Sequence, residues 1–443
     1  MSTSTSSPEP DTKLRRAITG PLLLLFILGD VLGAGVYALA GKIAGEVGGA
    51  IWVPLVVAMG FAMLTAASYA ELVTKYPKAG GAAVFAARAF KHPLVSFLVG
   101  FSMLAAGVTS AAGLSLAFAG DYLGAFIHVS PTMTAPVFLT LVALLNARGI
   151  KESLNANLVM TLIELSGLLL VVILAVLYVS HGQGEPARVL QFAEGTSPPL
   201  AVLGAALLAF YSFVGFEVSA NIAEEVKDVR RIYPRTLFGA LLIAGVIYVL
   251  VGLAASIVLS PAQLVESSAP LLDVVRATGY GIPPQLFAVA ALLAVSNGAL
   301  LTMIMASRLA YGMAEEGLLP PVLGRVLPRR RTPWVAIIAT TLVAMALTVT
   351  GTLSALAETV VLLLLFVFMS TNVAVLVLRR DKVDQPHFRT PTLVPLLAIV
   401  SCLVLLSQQS AETWLRAGIL LGIGVVLYFV TRAHSTREAA DVV

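Results

Sequence analysis

GDVLGAGVYAL (Gly29 to Leu39) and FYSFVGFE (Phe210 to Glu217) are two glycine-centred interruptions, each inside an apolar stretch long enough to cross a bilayer. Hydrocarbon offers backbone N–H and C=O groups no partner, so an unwound turn at membrane depth persists only where protein, water or a ligand satisfies it. Each break sets a helix N-terminus, with positive partial charge, beside a C-terminus with free carbonyls. That pairing suits a carboxylate and an ammonium group, so two such turns can bind a small zwitterion.

The surrounding chain is that of a polytopic membrane protein. Of its 443 residues 58% are hydrophobic and only 12% charged, with a mean hydropathy of +0.94, far more apolar than a soluble domain. Stretches of about 20 apolar residues predict an all-α bundle of twelve transmembrane helices, at about 17–40, 50–75, 94–126, 132–147, 155–180, 199–224, 236–260, 285–314, 333–351, 353–379, 391–409 and 412–432. The opening MSTSTSSPEPDT has no apolar core or cleavage site and reads as a disordered cytosolic tail over 1–16, matched by a short tail over 433–443.

A net charge of +4 invites a nucleic-acid partner, but the basic residues sit in short loops and membrane orientation accounts for them better. With the N-terminus in the cytosol, Lys42, Arg188, Arg276 and Arg416 are the outer cations. The inner side takes the rest, among them Lys13, Arg15 and Arg16, the run Lys227, Arg230, Arg231 and Arg235, and Arg379, Arg380 and Lys382. This bias places both termini in the cytosol and the protein in the cell membrane. The single cysteine, Cys402, lies in the eleventh span, so no disulfide-linked subunit is expected, and a monomer or weak homodimer follows. The five histidines are scattered, so neither a metal nor a cofactor is implied.

The two breaks lie about 180 residues apart, each opening a block of five spans. This rhythm predicts an inverted repeat, about 17–180 against 199–379, within a core over 17–380, with discontinuous first and sixth spans crossing antiparallel. The last two spans, over 381–432, form an appendage. Tyr76 to Pro93 reads as an amphipathic surface helix or a plain loop, and Ser260 to Pro284 as short helices over the outer face.

Gly33-Ala34-Gly35-Val36-Tyr37-Ala38 formally fits a dinucleotide-binding fingerprint, but that motif needs a strand before it and a soluble unit around it, and is rejected. The glycines could also serve close helix packing, as Gly418 and Gly422 do in the last span. Several segments together decide between these readings. Gly29, Val31, Leu32, Gly33, Gly35, Val36 and Tyr37 match the first-helix pattern G-x-[IV]-[IL]-G-x-G-[IV]-[FY]. Phe213, Gly215, Phe216 and Glu217 match an F-x-G-[FV]-[DE] turn leading into AEEVKDVRRIYPR, and SNGALLTMIMASRLAYGMAEEGLLP fits the eighth helix. Over at least ten spans the chain resembles the amino acid-polyamine-organocation transporters.

The resemblance implies a substrate site built from Val31, Gly33, Ala34, Gly35, Tyr211, Phe213 and Val214. The Ala34 and Gly35 amides would hold a carboxylate, carbonyls near Val31, Tyr211 and Val214 an ammonium, and Tyr211 would stand as an aromatic gate. Small residues of the third span, Ala105, Ala106 and Gly107, would set side-chain volume. Intramembrane carboxylates are functional candidates because each is costly when ionised and unpaired. Asp30, Glu164, Glu217 and Glu358 qualify, with Glu217, Glu164 and Asp30 the coupling candidates. Glu164 departs from relatives that carry a lysine there, which leaves proton or sodium as the coupling ion.

The expected function is secondary active transport of amino acids by alternating access, coupled to protons. A polyamine carrier or an amine/amino acid exchanger is the near alternative. A membrane-embedded enzyme on a lipid-linked substrate is the distant one, and it lacks the interfacial cluster of His, Asp or Arg that such chemistry needs.

Overall fold

The computed structural model describes residues 18–441 apart from Ala34, Ala79, His128, Gly149, Thr196, Arg329 and Arg331. The expected tail over 1–16 lies outside the described residues. The first span comprises α1 (Gly20–Leu32) and α2 (Gly35–Val47). Then come α3 (Trp52–Lys75), α4 (Gly81–Phe90), α5 (Pro93–Phe118), α6 (Asp121–Gly124), α7 (Pro131–Arg148), α8 (Ile150–Ser180) and α9 (Pro198–Tyr211). A 3-10 helix (Phe216–Glu225) completes the sixth span. It is followed by α10 (Val229–Val258), α11 (Pro261–Glu266), α12 (Pro270–Ala277), α13 (Pro284–Glu315), α14 (Trp334–Thr350), α15 (Leu353–Leu378), α16 (Leu393–Ser407) and α17 (Ala411–Asp441). Among the described residues there is no strand.

Nine helices among the described residues are long and apolar enough to cross a membrane. The expected fourth, ninth and eleventh spans fall on α7, α14 and α16, which are shorter or more polar than the others. The amphipathic reading of Tyr76 to Pro93 appears as α4, with Phe85 buried and Arg88 exposed. The outer stretch after Ser260 folds into α11 and α12, the first opened by a capping box in which Ser260 Oγ accepts from Gln263 N and Gln263 Oε1 accepts from Ser260 N. The last helix continues to Asp441, past the point where the tail was expected.

The packing comes in matched pairs. α1 packs on α10 as α9 does on α3; α1 packs on α8 as α9 does on α15; α5 packs on α15 as α13 does on α8. Between the two halves α3 meets α10, α5 meets α13 and α7 meets α14. The flanks of α8, α16 and α17 instead present Val159, Leu162, Ile173, Val400, Leu403, Leu415 and Ile419 outward. Those apolar faces suit hydrocarbon.

Candidate functional site

The first break begins where α1 stops at Leu32. The end carbonyls of a helix lack intrahelical donors, and here Tyr248 Oη of α10 donates to Val31 O and, at 2.8 Å, to Leu32 O. Ala34 lies outside the described residues. The helix resumes at Gly35, where a β-carbon would fall 2.6 Å from Ser212 Cα. No side chain fits there, so the backbones of the two breaks touch. At Gly33 a β-carbon would meet only Asp30 O, at 3.3 Å.

The second break follows Tyr211, with a turn through Ser212 to Gly215. Gly215 has φ 122°, a region that L side chains avoid, and its missing β-carbon would lie 2.8 Å from Asp30 O. Glycine is required on both counts. Its N–H donates to Glu217 Oε2 at 2.9 Å, so Glu217 caps the turn from the far side. The chain then runs as a 3-10 helix for ten residues, long for this geometry, whose extended runs often mark hinges. α2 packs on α9 while α1 packs on the 3-10 helix, so the two broken spans cross antiparallel.

Between the breaks lies a cavity of about 40 Å³. Asp30, Val31, Gly33, Gly35, Tyr211, Ser212, Val214, Gly215 and Glu217 line one side. Ala106, Gly107, Ser110, Leu114, Thr302, Met305, Val360 and Leu364 line the other. A water needs about 10–15 Å³ on this measure, so the space admits a few waters or a very small solute, and larger ligands require lining side chains to move. Ser110 Oγ and Tyr211 Oη are 3.2 Å apart and hydrogen-bonded across the lining. No Lys, Arg or His is among the lining residues.

The structure thus brings Val31, Gly33, Gly35, Tyr211, Val214, Asp30 and Glu217 to one cavity, and leaves two predicted residues out of it. Phe213 is fully buried and packs edge-to-face on Tyr248, with centroids 5.3 Å apart. Its neighbours Ser212 and Val214 take the cavity side. Glu164 stands behind the first break on α8, fully buried, with neither carboxylate oxygen hydrogen-bonded among the described residues. Tyr37 Oη donates to its backbone carbonyl at 3.0 Å. Nearby, a Gly29 β-carbon would collide with Thr161 Oγ1, and Asn297 Nδ2 donates to Asn157 Oδ1 at 2.9 Å. The carbonyls expected to receive an ammonium are largely engaged, Val31 O by Tyr248 and Tyr211 O by Val214 N at 3.1 Å.

Sequence reading passed over Ser212, inside the second break, and Ser110, Thr302 and Tyr248, isolated hydroxyls in apolar helices that carry no pattern. It also missed a fifth intramembrane carboxylate, Glu71 on α3, whose place inside an apolar span was the available signal. Glu358, the remaining carboxylate of the predicted four, accepts from Thr413 Oγ1 at 2.8 Å.

The family described as amino acid permease matches residues 22–439. The branched-chain amino acid permease BcaP of Bacillus subtilis (strain 168) is 28% identical, over 96% of this chain and 95% of that protein. The methylthioribose transporter of the same organism is 26% identical, over 97% and 96% respectively. Cationic amino acid transporter 4 of Mus musculus is 27% identical, over 85% of this chain and 62% of that protein. With nearly its whole length matched and its two broken spans crossing at a cavity, this chain belongs to the amino acid permease family.

Proposed function

We propose that the protein is a secondary active transporter of amino acids that works by alternating access and is coupled to protons. One observation carries the reading: two broken spans meet antiparallel and enclose a cavity that they line with bare glycine backbone and with the carboxylates of Asp30 and Glu217. The matched packing of the two halves supports an inverted repeat, in which rocking of one set of spans exposes the cavity to each side in turn. The distribution of basic residues supports a cell-membrane location with both termini cytosolic.

The cavity wall of Ala106, Gly107, Leu114, Met305 and Leu364 suits a small or branched apolar side chain, in keeping with the name of the Bacillus subtilis permease. Proton coupling rests on Glu217 and Glu164, buried acids with no basic group in the cavity lining. A carboxylate in such a place is more stable with a proton bound, and alternating exposure lets it exchange that proton with either side.

Uptake into liposomes holding the purified protein, with proton and sodium gradients imposed separately, tests this. The expected result is saturable, counterflow-competent uptake driven by an inward proton gradient. Glu164→Gln should weaken accumulation more than exchange, and Glu217→Gln should flatten the pH dependence of exchange. A strong sodium requirement that vanishes in Glu164→Gln would instead make Glu164 a sodium ligand.

A further inference from the structure

We propose that Asp30, and not the helix-end carbonyls, anchors the ammonium group of the substrate, so that a positively charged nitrogen is obligatory for binding while the carboxylate is dispensable; this rests on the transporter reading above. Asp30 lines the cavity and is only 7% exposed, and its Oδ2 has no hydrogen-bond partner among the described residues. Of the carbonyls that would otherwise take an ammonium, Val31 O and Leu32 O already accept from Tyr248 Oη, and Tyr211 O from Val214 N. Carboxylates form charge-assisted hydrogen bonds roughly twice as strong as neutral ones. Of the two carboxylates that line the cavity, Glu217 already accepts from Gly215 N, and Asp30 keeps an oxygen that no donor among the described residues holds.

Charge balance points the same way. Asp30 and Glu217 flank Gly215: Asp30 Cγ lies 3.1 Å from where a Gly215 β-carbon would be, and the Gly215 N–H is held by Glu217 Oε2. Glu164 stands behind them, and no Lys, Arg or His lines the cavity among the described residues. A buried anion is stable only when paired or neutralised, and a substrate ammonium supplies both the charge and the donors. Ser212 Oγ, buried and also without a partner among the described residues, lies next to Gly35 at the N-terminus of α2. That end suits a carboxylate, which orients a bound amino acid with its nitrogen toward Asp30.

The test is competition binding and thermal shift on the purified full-length protein with two series: L-alanine, ethylamine and L-lactate, and L-leucine, 3-methylbutylamine and 2-hydroxy-4-methylpentanoate. In wild type each hydroxy acid should bind at least about tenfold more weakly than the amine of its series, the span of a hydrogen bond to a charged group. Asp30→Asn should weaken the amino acids by about tenfold or more and abolish that preference, and Asp30→Glu should restore it. Unchanged hydroxy-acid binding in Asp30→Asn shows an intact site. A hydroxy acid that binds wild type within about threefold of its amino acid overturns the assignment whether or not the variants fold. So does Asp30→Asn binding amino acids as wild type does, or a preference lost in Glu217→Gln instead. Wild type that binds neither the amino acids nor the amines overturns the transporter reading, and this assignment with it.

Discussion

Glu71 and Asp30 are both buried carboxylates, 2% and 7% exposed, yet they keep different company. Glu71, near the C-terminal end of α3, accepts from Arg379 Nε at 2.9 Å and Nη2 at 2.8 Å, and from Thr390 N and Oγ1. One turn on, Lys75 Nζ caps the end of α15 by donating to Leu378 O at 2.6 Å, and Tyr76 Oη donates to Asp381. The Glu71 carboxylate is matched by the Arg379 guanidinium, and the result pins α3 to the segment that follows α15. Asp30, at the end of α1, stands beside Gly215, whose N–H Glu217 holds, and has an oxygen with no donor among the described residues. The contrast separates a carboxylate that holds the fold from one kept for something that arrives from outside.

The sharpest way to break this comparison is to remove one partner from each cluster. Arg379→Ala leaves Glu71 as an uncompensated buried charge, which should cost about 3–5 kcal/mol and lower the thermal unfolding temperature of the purified protein markedly. Asp30→Asn removes a charge that has no partner, so the unfolding temperature should hold or rise while binding suffers. Equal destabilisation by both would erase the distinction.

A smaller effect is expected at the glycines of the first break. At Gly35 an added methyl meets the Ser212 backbone at 2.6 Å, an overpacking that should cost about 1–3 kcal/mol and impair transport. At Gly33 the nearest atom, Asp30 O, is 3.3 Å away, a milder clash, so Gly33→Ala should cost less stability than Gly35→Ala while lowering substrate affinity. Parallel unfolding and uptake measurements distinguish them, and Gly35→Ala with wild-type stability would show that the two breaks are not locked together. The smallest change belongs to Glu412, whose pair with Arg416 is 72% exposed on the glutamate side. Glu412→Ala should shift stability by less than about 1 kcal/mol, a baseline against which Arg379→Ala is read.

Both breaks were legible because their cause is local. Glycine where apolar periodicity would continue a helix is visible in a window of ten residues, and the structure interrupts the spans between Leu32 and Gly35 and after Tyr211. The register inside the second turn was not legible: Phe213 was read as a cavity residue, but its ring is buried against Tyr248 and the adjacent Ser212 faces the cavity. A one-residue difference of that kind depends on which neighbour offers an apolar surface, and α10 supplies it from more than thirty residues away. Glu71 went unremarked for the same reason, since its partner Arg379 is 308 residues distant in sequence.

By itself the sequence determined the helical class, the apolar spans, the two places where they break and the family pattern around them, because each follows from composition and spacing within a single segment facing hydrocarbon. Only the tertiary structure decided which carboxylates are paired and which are not, that Tyr248 closes the carbonyls of the first break, and that Glu164 stands behind the cavity rather than in it. Those outcomes depend on contacts between spans far apart in the chain. The free energy of a buried charge or hydroxyl is set by the one group that reaches it, and composition does not record which group that is.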